Sequence, residues 1–154
     1  MNNMRRVKIS LTLCSFDTAR TVVNSFVISR IDYCNSLPTN SSQRAVNRLQ
    51  RVINAAARLV CHSGQPTSVS GLLRGRLHWL RVPERVRYKL CLLVLKAVSG
   101  TAPDYLRQLC RSNAEDIARF RLRSAAHGDL QVPRSKSNLG DRAFAVAGPA
   151  SWNS

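Results

Sequence analysis

With 154 residues, 44% of them hydrophobic, the chain has the length of a single domain and enough apolar material for a core, which excludes wholesale disorder. No run of about 18 apolar residues occurs, so no transmembrane helix is expected. Charge is the outlier: 24 Lys and Arg against 8 Asp and Glu give +16, and 20 of the 24 are arginines, whose planar guanidinium forks onto phosphate, so a polyanionic partner is expected, with a membrane surface as the alternative.

In chain order, residues 1–15 form a basic segment in which Arg5, Arg6 and Lys8 precede the apolar stretch Ile9 to Phe16. The pattern imitates a signal or transit peptide, but Asp17 and Arg20 follow at once with no A-x-A cleavage pattern. The expectation is an intracellular protein, nuclear or cytoplasmic, with mitochondrial import as the secondary reading. Residues 16 to 34 read as a buried helix capped by Ser15 or Asp17, with Ala19, Val22, Val23, Phe26, Val27 and Ile31 covering most of its circumference. Asn35 to Asn40 ends it. Asn40 is expected to cap a second helix, with Gln43 reaching back from its third position in a near capping box. That helix runs to about Cys61 and stops at Gly64 and Pro66.

A short third helix over Val69 to Leu73, weakened by Gly71 and Gly75, leads into LHWL at Leu77 to Leu80. Pro83 opens a fourth helix that ends before Gly100. It carries Val86, Leu90, Leu93, Val94 and Ala97 on one side and Tyr88, Leu92, Leu95 and Val98 on others, so it should be the central core element. Pro103 opens a fifth, short helix to Cys110, with Asp104 in its first turn, where the helix dipole favours an acid. Beyond Arg111 the composition shifts. Phe120, Leu122, Leu130 and Val132, broken by Gly128, Pro133, Gly140 and Pro149, read as extended segments and turns. The expected fold is therefore mainly α: a small helical domain of four to five helices over 16–111, then a basic, irregular or β-hairpin C-terminal segment over 112–154, with the boundary at 112 to 118.

The chemistry-bearing residues exclude more than they offer. Five cysteines at 14, 34, 61, 91 and 110 make no CxxC pair, so zinc has no ligand spacing to use; Cys34, Cys61 and Cys91 read as small core residues. His62 points roughly 100° away from Cys61 on a helix and does not share a metal with it readily. No cofactor and no metal is expected. Trp79 and His78 invite a base-stacking reading, but Trp79 between Leu77 and Leu80 reads better as a core anchor, and only nine aromatics occur in the chain.

The cations carry the functional signal. At roughly 100° per residue, Arg44, Arg48, Arg51 and Arg58 lie within about 80° of one another on the second helix, and Ala45, Leu49, Val52, Ile53, Ala56 and Val60 centre on the other side. Surface helices usually mix signs, yet Asn40 to Cys61 holds no acid. Phosphate contact is the reading, a solvated face its alternative. Arg85, Lys89 and Lys96 mark a polar edge of the fourth helix, Arg74, Arg76 and Arg81 flank LHWL, and Arg119, Arg121 and Arg123 alternate on one face of an extended segment. Backbone electrostatics should dominate over base readout.

Four ordered runs tie these features together: RIDYCN at Arg30 to Asn35, LQRV with NAAARLV over Leu49 to Val60, LHWL, and GDRAF at Gly140 to Phe144. With SFVIS before the first, KAVSGTAPDYL at Lys96 to Leu106, and the ending Gly148, Pro149, Trp152, Asn153, they resemble the region that follows the polymerase core in LINE-type (non-LTR) retrotransposon reverse transcriptases. The resemblance covers roughly Ser10 to Ser154. It implies a parent RNA-directed DNA polymerase whose chemistry sits upstream, on carboxylates that hold two metal ions. No Asp-Asp pair occurs here, so this chain alone is expected to be non-catalytic, with RNA or DNA backbone and the polymerase core of the parent as partners, and no membrane. Arg81 stands where the family commonly has Pro, Ile53 replaces a usual Gln, and the chain stops at WNS where the pattern continues, which suggests a fragment of an element copy. The rival readings are a structural module that packs on the missing polymerase thumb, and a basic mitochondrial or ribosomal RNA-binding protein.

Overall fold

The computed structural model describes residues 14–33, 42–63, 68–116, 121 and 123–154. The expected caps and stops at Asn40, Gly64 and Pro66, the basic segment before Cys14, and Cys34, Arg119, Phe120 and Leu122 lie outside them. The chain is mainly helical, and among the described residues no strand forms. It divides into two compact units, one built from the described residues up to Arg85, the other from Val86 onward.

In the first unit, α1 (Phe16–Val23) starts where Ser15 Oγ accepts the Thr18 N–H at 3.3 Å. It continues through a π-helical turn, Asn24–Ile28, into α2 (Ser29–Tyr33). Thr21, Ser25 and Ser29 each donate a hydroxyl to the carbonyl four residues earlier, and such back-bonding competes with the regular ladder where the helix widens. Ala19, Val23 and Ile28 are buried, whereas Phe26, expected inside, is 73% exposed. The widened turn shifts the face that a regular 3.6-residue period assigns to it.

α3 (Gln43–Val60) is two-faced, with Ile53, Ala56, Ala57 and Val60 buried. Gln43 is its first residue rather than its third, and its side chain donates to Asn47 Oδ1 at 2.9 Å, while the Asn40 partner of the expected capping box lies outside the described residues. The helix stops in a Schellman motif: His62 adopts a left-handed backbone (φ 51°), the Ser63 N–H reaches the Arg58 carbonyl and the His62 N–H reaches that of Leu59. α4 (Val69–Gly71) runs into a second π-helical turn, Leu72–Leu77, that packs on α3 and ends at left-handed His78. Trp79 is buried, so it is a core anchor and not a stacking platform.

α5 (Val82–Val98) begins one residue before Pro83 and runs through the division between the units. Within the second unit it buries Val86, Leu90, Val94 and Ala97 and stops at Gly100 (φ 74°), again in a Schellman motif through Thr101 N–H to the Lys96 carbonyl. The expectation that its other sides are also core is corrected: Tyr88, Leu95 and Val98 are exposed. α6 (Asp104–Arg107) follows, shorter than the span to Cys110.

The C-terminal part differs most from expectation. Where extended segments were expected, α7 (Arg123–Ala126) and α8 (Phe144–Trp152) form, with 3-10 turns at Asn113–Glu115 and Gly140–Arg142. The hairpin reduces to one isolated bridge between Ser112 and Leu130, closed by Asn113 N–H to the Asp129 carbonyl and Gln131 N–H to that of Arg111. On the other edge of Leu130, the Asn153 amide stands in for a strand: its Oδ1 accepts the Leu130 N–H at 2.9 Å and its Nδ2 donates to the Leu130 carbonyl at 2.8 Å. α8 runs antiparallel along α5, with Ser154 against Arg87, Ser151 against Cys91 and Gly148 against Val94. Pro149, read in sequence as a breaker, is buried inside this helix together with Gly148.

Candidate nucleic-acid interface

The site is the outer face of α3. Arg44, Arg48 and Arg51 are all exposed, directly opposite the buried Ile53, Ala57 and Val60, because the apolar residues recur at helical spacing and fix which side turns inward. All eight acids lie among the described residues, and no carboxylate pairs with any of these three arginines. The positive potential of the face is therefore not cancelled locally.

Arg58 is corrected. It belongs to the same helix but is half-buried, with its Nε enclosed and without a hydrogen-bond partner.

Arg74, Arg76, Arg81 and Arg85 of this unit are engaged with the protein itself. Arg74 Nη2 lies 3.1 Å from Glu84 Oε1, Arg81 Nη2 donates to Ser70 Oγ at 2.7 Å, and the Arg76 guanidinium stands 5.6 Å from the Phe16 ring centroid. Arg85 is held by the protein on several sides: its side chain is 13% exposed, its Nη1 lies 2.8 Å from both oxygens of Asp32, and its Nε donates to the Leu80 carbonyl. Sequence spacing gives no hint of that pair, whose members lie 53 residues apart. Lys89 and Lys96 are exposed but belong to the second unit, as do Arg121 and Arg123. The expected extended alternation is not present at Arg121 and Arg123, because Arg121 occupies a turn and Arg123 opens α7; Arg119 lies outside the described residues.

Burial pushes the Cys61 and Cys110 thiols above the ordinary cysteine range, with Arg76 opposing the shift at Cys61, so neither is a ready thiolate. Among the described residues, no three His, Cys, Asp or Glu side chains gather in a way that could hold a metal ion. No helix there is long and apolar enough to cross a membrane. Comparison with protein-family models, curated proteins and solved structures finds no match.

Proposed function

We propose that this chain is a non-catalytic module from the region downstream of the polymerase core of a LINE-type reverse transcriptase, and that it holds RNA or DNA by the backbone through α3. The carrying observation is the row of three exposed arginines with no carboxylate partner, Arg44, Arg48 and Arg51, opposite the buried side of an acid-free helix. At about 1.5 Å per residue they span about 10 Å, a length that meets about three phosphates of one strand. The face carries no aromatic side chain, which favours phosphate contact over base stacking. The ordered runs from RIDYCN to GDRAF support the family part of the reading.

The test is Arg44, Arg48 and Arg51 changed together to Gln, against a control with Arg111, Arg123 and Arg134 changed to Gln. Both remove three exposed charges, and Gln retains helix propensity. Fluorescence anisotropy on a labelled duplex should show the α3 variant binding at least about tenfold more weakly than the control, with unchanged circular dichroism. Equal losses would reduce the face to a solvated surface.

The structural reading has its own observation: Phe26 and Tyr33, at 73% and 86% exposure, leave apolar side chains of the first helical segment in solvent, as a surface that packs on a missing polymerase domain would.

A further inference from the structure

Three hydroxyl residues of this chain have a cation three positions before them: Ser99 after Lys96, Ser124 after Arg121 and Ser137 after Arg134. Protein kinases with an acidic cleft select such a cation, because the charge pattern beside the acceptor separates one kinase class from another. Sequence does not rank Ser137 above Ser124, since each also follows a cation directly, Lys136 and Arg123. The fold separates them. Ser124 is half-buried within α7, and its carbonyl accepts the Asp129 N–H. Ser99 directly follows α5 and donates its hydroxyl to the Lys96 carbonyl.

Ser137 shares neither constraint. Between the bridge at Leu130 and the 3-10 turn Gly140–Arg142 the chain forms no helix or strand, and of residues 132–139 all but the half-buried Ser135 are exposed. Leu139, two positions beyond the serine, is 75% exposed, so no apolar anchor ties the segment down there. Ser137 Oγ accepts the Gly140 N–H at 3.1 Å, an arrangement that leaves its own hydroxyl hydrogen free. The other local ties are hydrogen bonds as well: the Ser137 N–H reaches Ser135 Oγ, and the Ser137 carbonyl accepts from Ser135 Oγ and the Asp141 N–H. A stretch held by exposed hydrogen bonds opens locally at low cost, as entry into a kinase cleft requires. All eight acids lie among the described residues and none pairs with Arg134 or Lys136, so both cations are available to a partner.

We propose that Ser137 is a phosphorylation site for an ATP-dependent protein kinase of the arginine-directed class. Ser137 Oγ forms a bond to the γ-phosphorus of ATP, the bond from that phosphorus to the β–γ bridging oxygen breaks, ADP leaves, and the hydroxyl proton passes to the aspartate of the kinase's catalytic loop. Arg134 and Lys136 are the only charged residues over 131–140, so the phosphoryl group takes this segment from two positive charges to about neutral. The inference rests on this segment alone and is independent of α3.

The full chain, incubated with magnesium, ATP and the catalytic subunit of cyclic-AMP-dependent protein kinase, should gain one phosphoryl group by intact-mass spectrometry, and fragmentation should place it on Ser137. Ser137→Ala should abolish the gain, whereas Ser99→Ala and Ser124→Ala should leave its rate unchanged. Arg134→Gln with Lys136→Gln should lower kcat/KM for phosphorylation at least about tenfold. That pair keeps Ser137 and its bond to Gly140, so it decides the matter even if Ser137→Ala disturbs the fold. Phosphate on Ser124 or Ser99 in place of Ser137 overturns the proposal, and so does a rate that ignores the loss of both cations. No incorporation, or incorporation only into heat-denatured chain, overturns it as well, because accessibility in the folded protein is what singles out Ser137.

Discussion

Glu84 and Asn153 show how much single side chains carry in a chain with only 8 acids. Glu84 accepts the Arg81 backbone N–H at the start of α5 through one oxygen and pairs with Arg74 through the other. The Arg81 N–H above all, with help from Arg74 and against an opposing push from burial, holds its carboxyl below the ordinary glutamate range. A carboxyl depressed by folding adds stability that is present above its unfolded value and lost as pH falls through its folded one. Stability should therefore fall as pH drops below about 4.3, and Glu84→Gln should flatten that dependence in thermal melts taken across the acid range. A variant as acid-sensitive as the parent would remove Glu84 from this role. Asn153 closes both backbone groups of buried Leu130, so Asn153→Ala should lower unfolding free energy by about 2 kcal/mol in urea denaturation, the cost of leaving buried polar groups unpaired.

At the scale of elements, the α5–α8 pair rests on close approach. A Cβ on Gly148 would lie 2.9 Å from Phe144 Cε2 and 3.1 Å from Val94 Cγ2, so Gly148→Val should destabilise by about 2 kcal/mol through overpacking, measured by the same denaturation. A neutral outcome would mean that the two helices are not in contact at Gly148. The sequence foretold α3 and α5 well because both are long and carry apolar residues at helical spacing, Ile53, Ala56 and Val60 in one, Val86, Leu90 and Val94 in the other. It did not foretell α8, since Gly148 and Pro149 are breakers by intrinsic propensity, and burial against α5 overrides that preference. The π-turns were illegible for a different reason: they change the period itself, so Phe26 falls on the outside of a helix whose regular wheel places it within. At the candidate site the direction of Arg44, Arg48 and Arg51 followed from the apolar period, whereas the capture of Arg85 by Asp32 depends on a tertiary neighbour that spacing does not encode.

For the whole molecule, charge and the scarcity of carboxylates set the expected behaviour. Purified chain on a primed template with magnesium or manganese should incorporate no nucleotide, because no pair of adjacent aspartates is available to a two-metal site. Template-dependent extension would refute that. The central claim, that α3 binds phosphates, is tested most directly by the salt dependence of duplex affinity in the parent and in the Arg44, Arg48, Arg51→Gln variant. At about 0.9 counterions released per contact, losing three contacts should lower the log–log slope by about 2.7, with the affinity difference narrowing as salt rises. An unchanged slope, or an affinity in the parent that does not respond to salt, would contradict it.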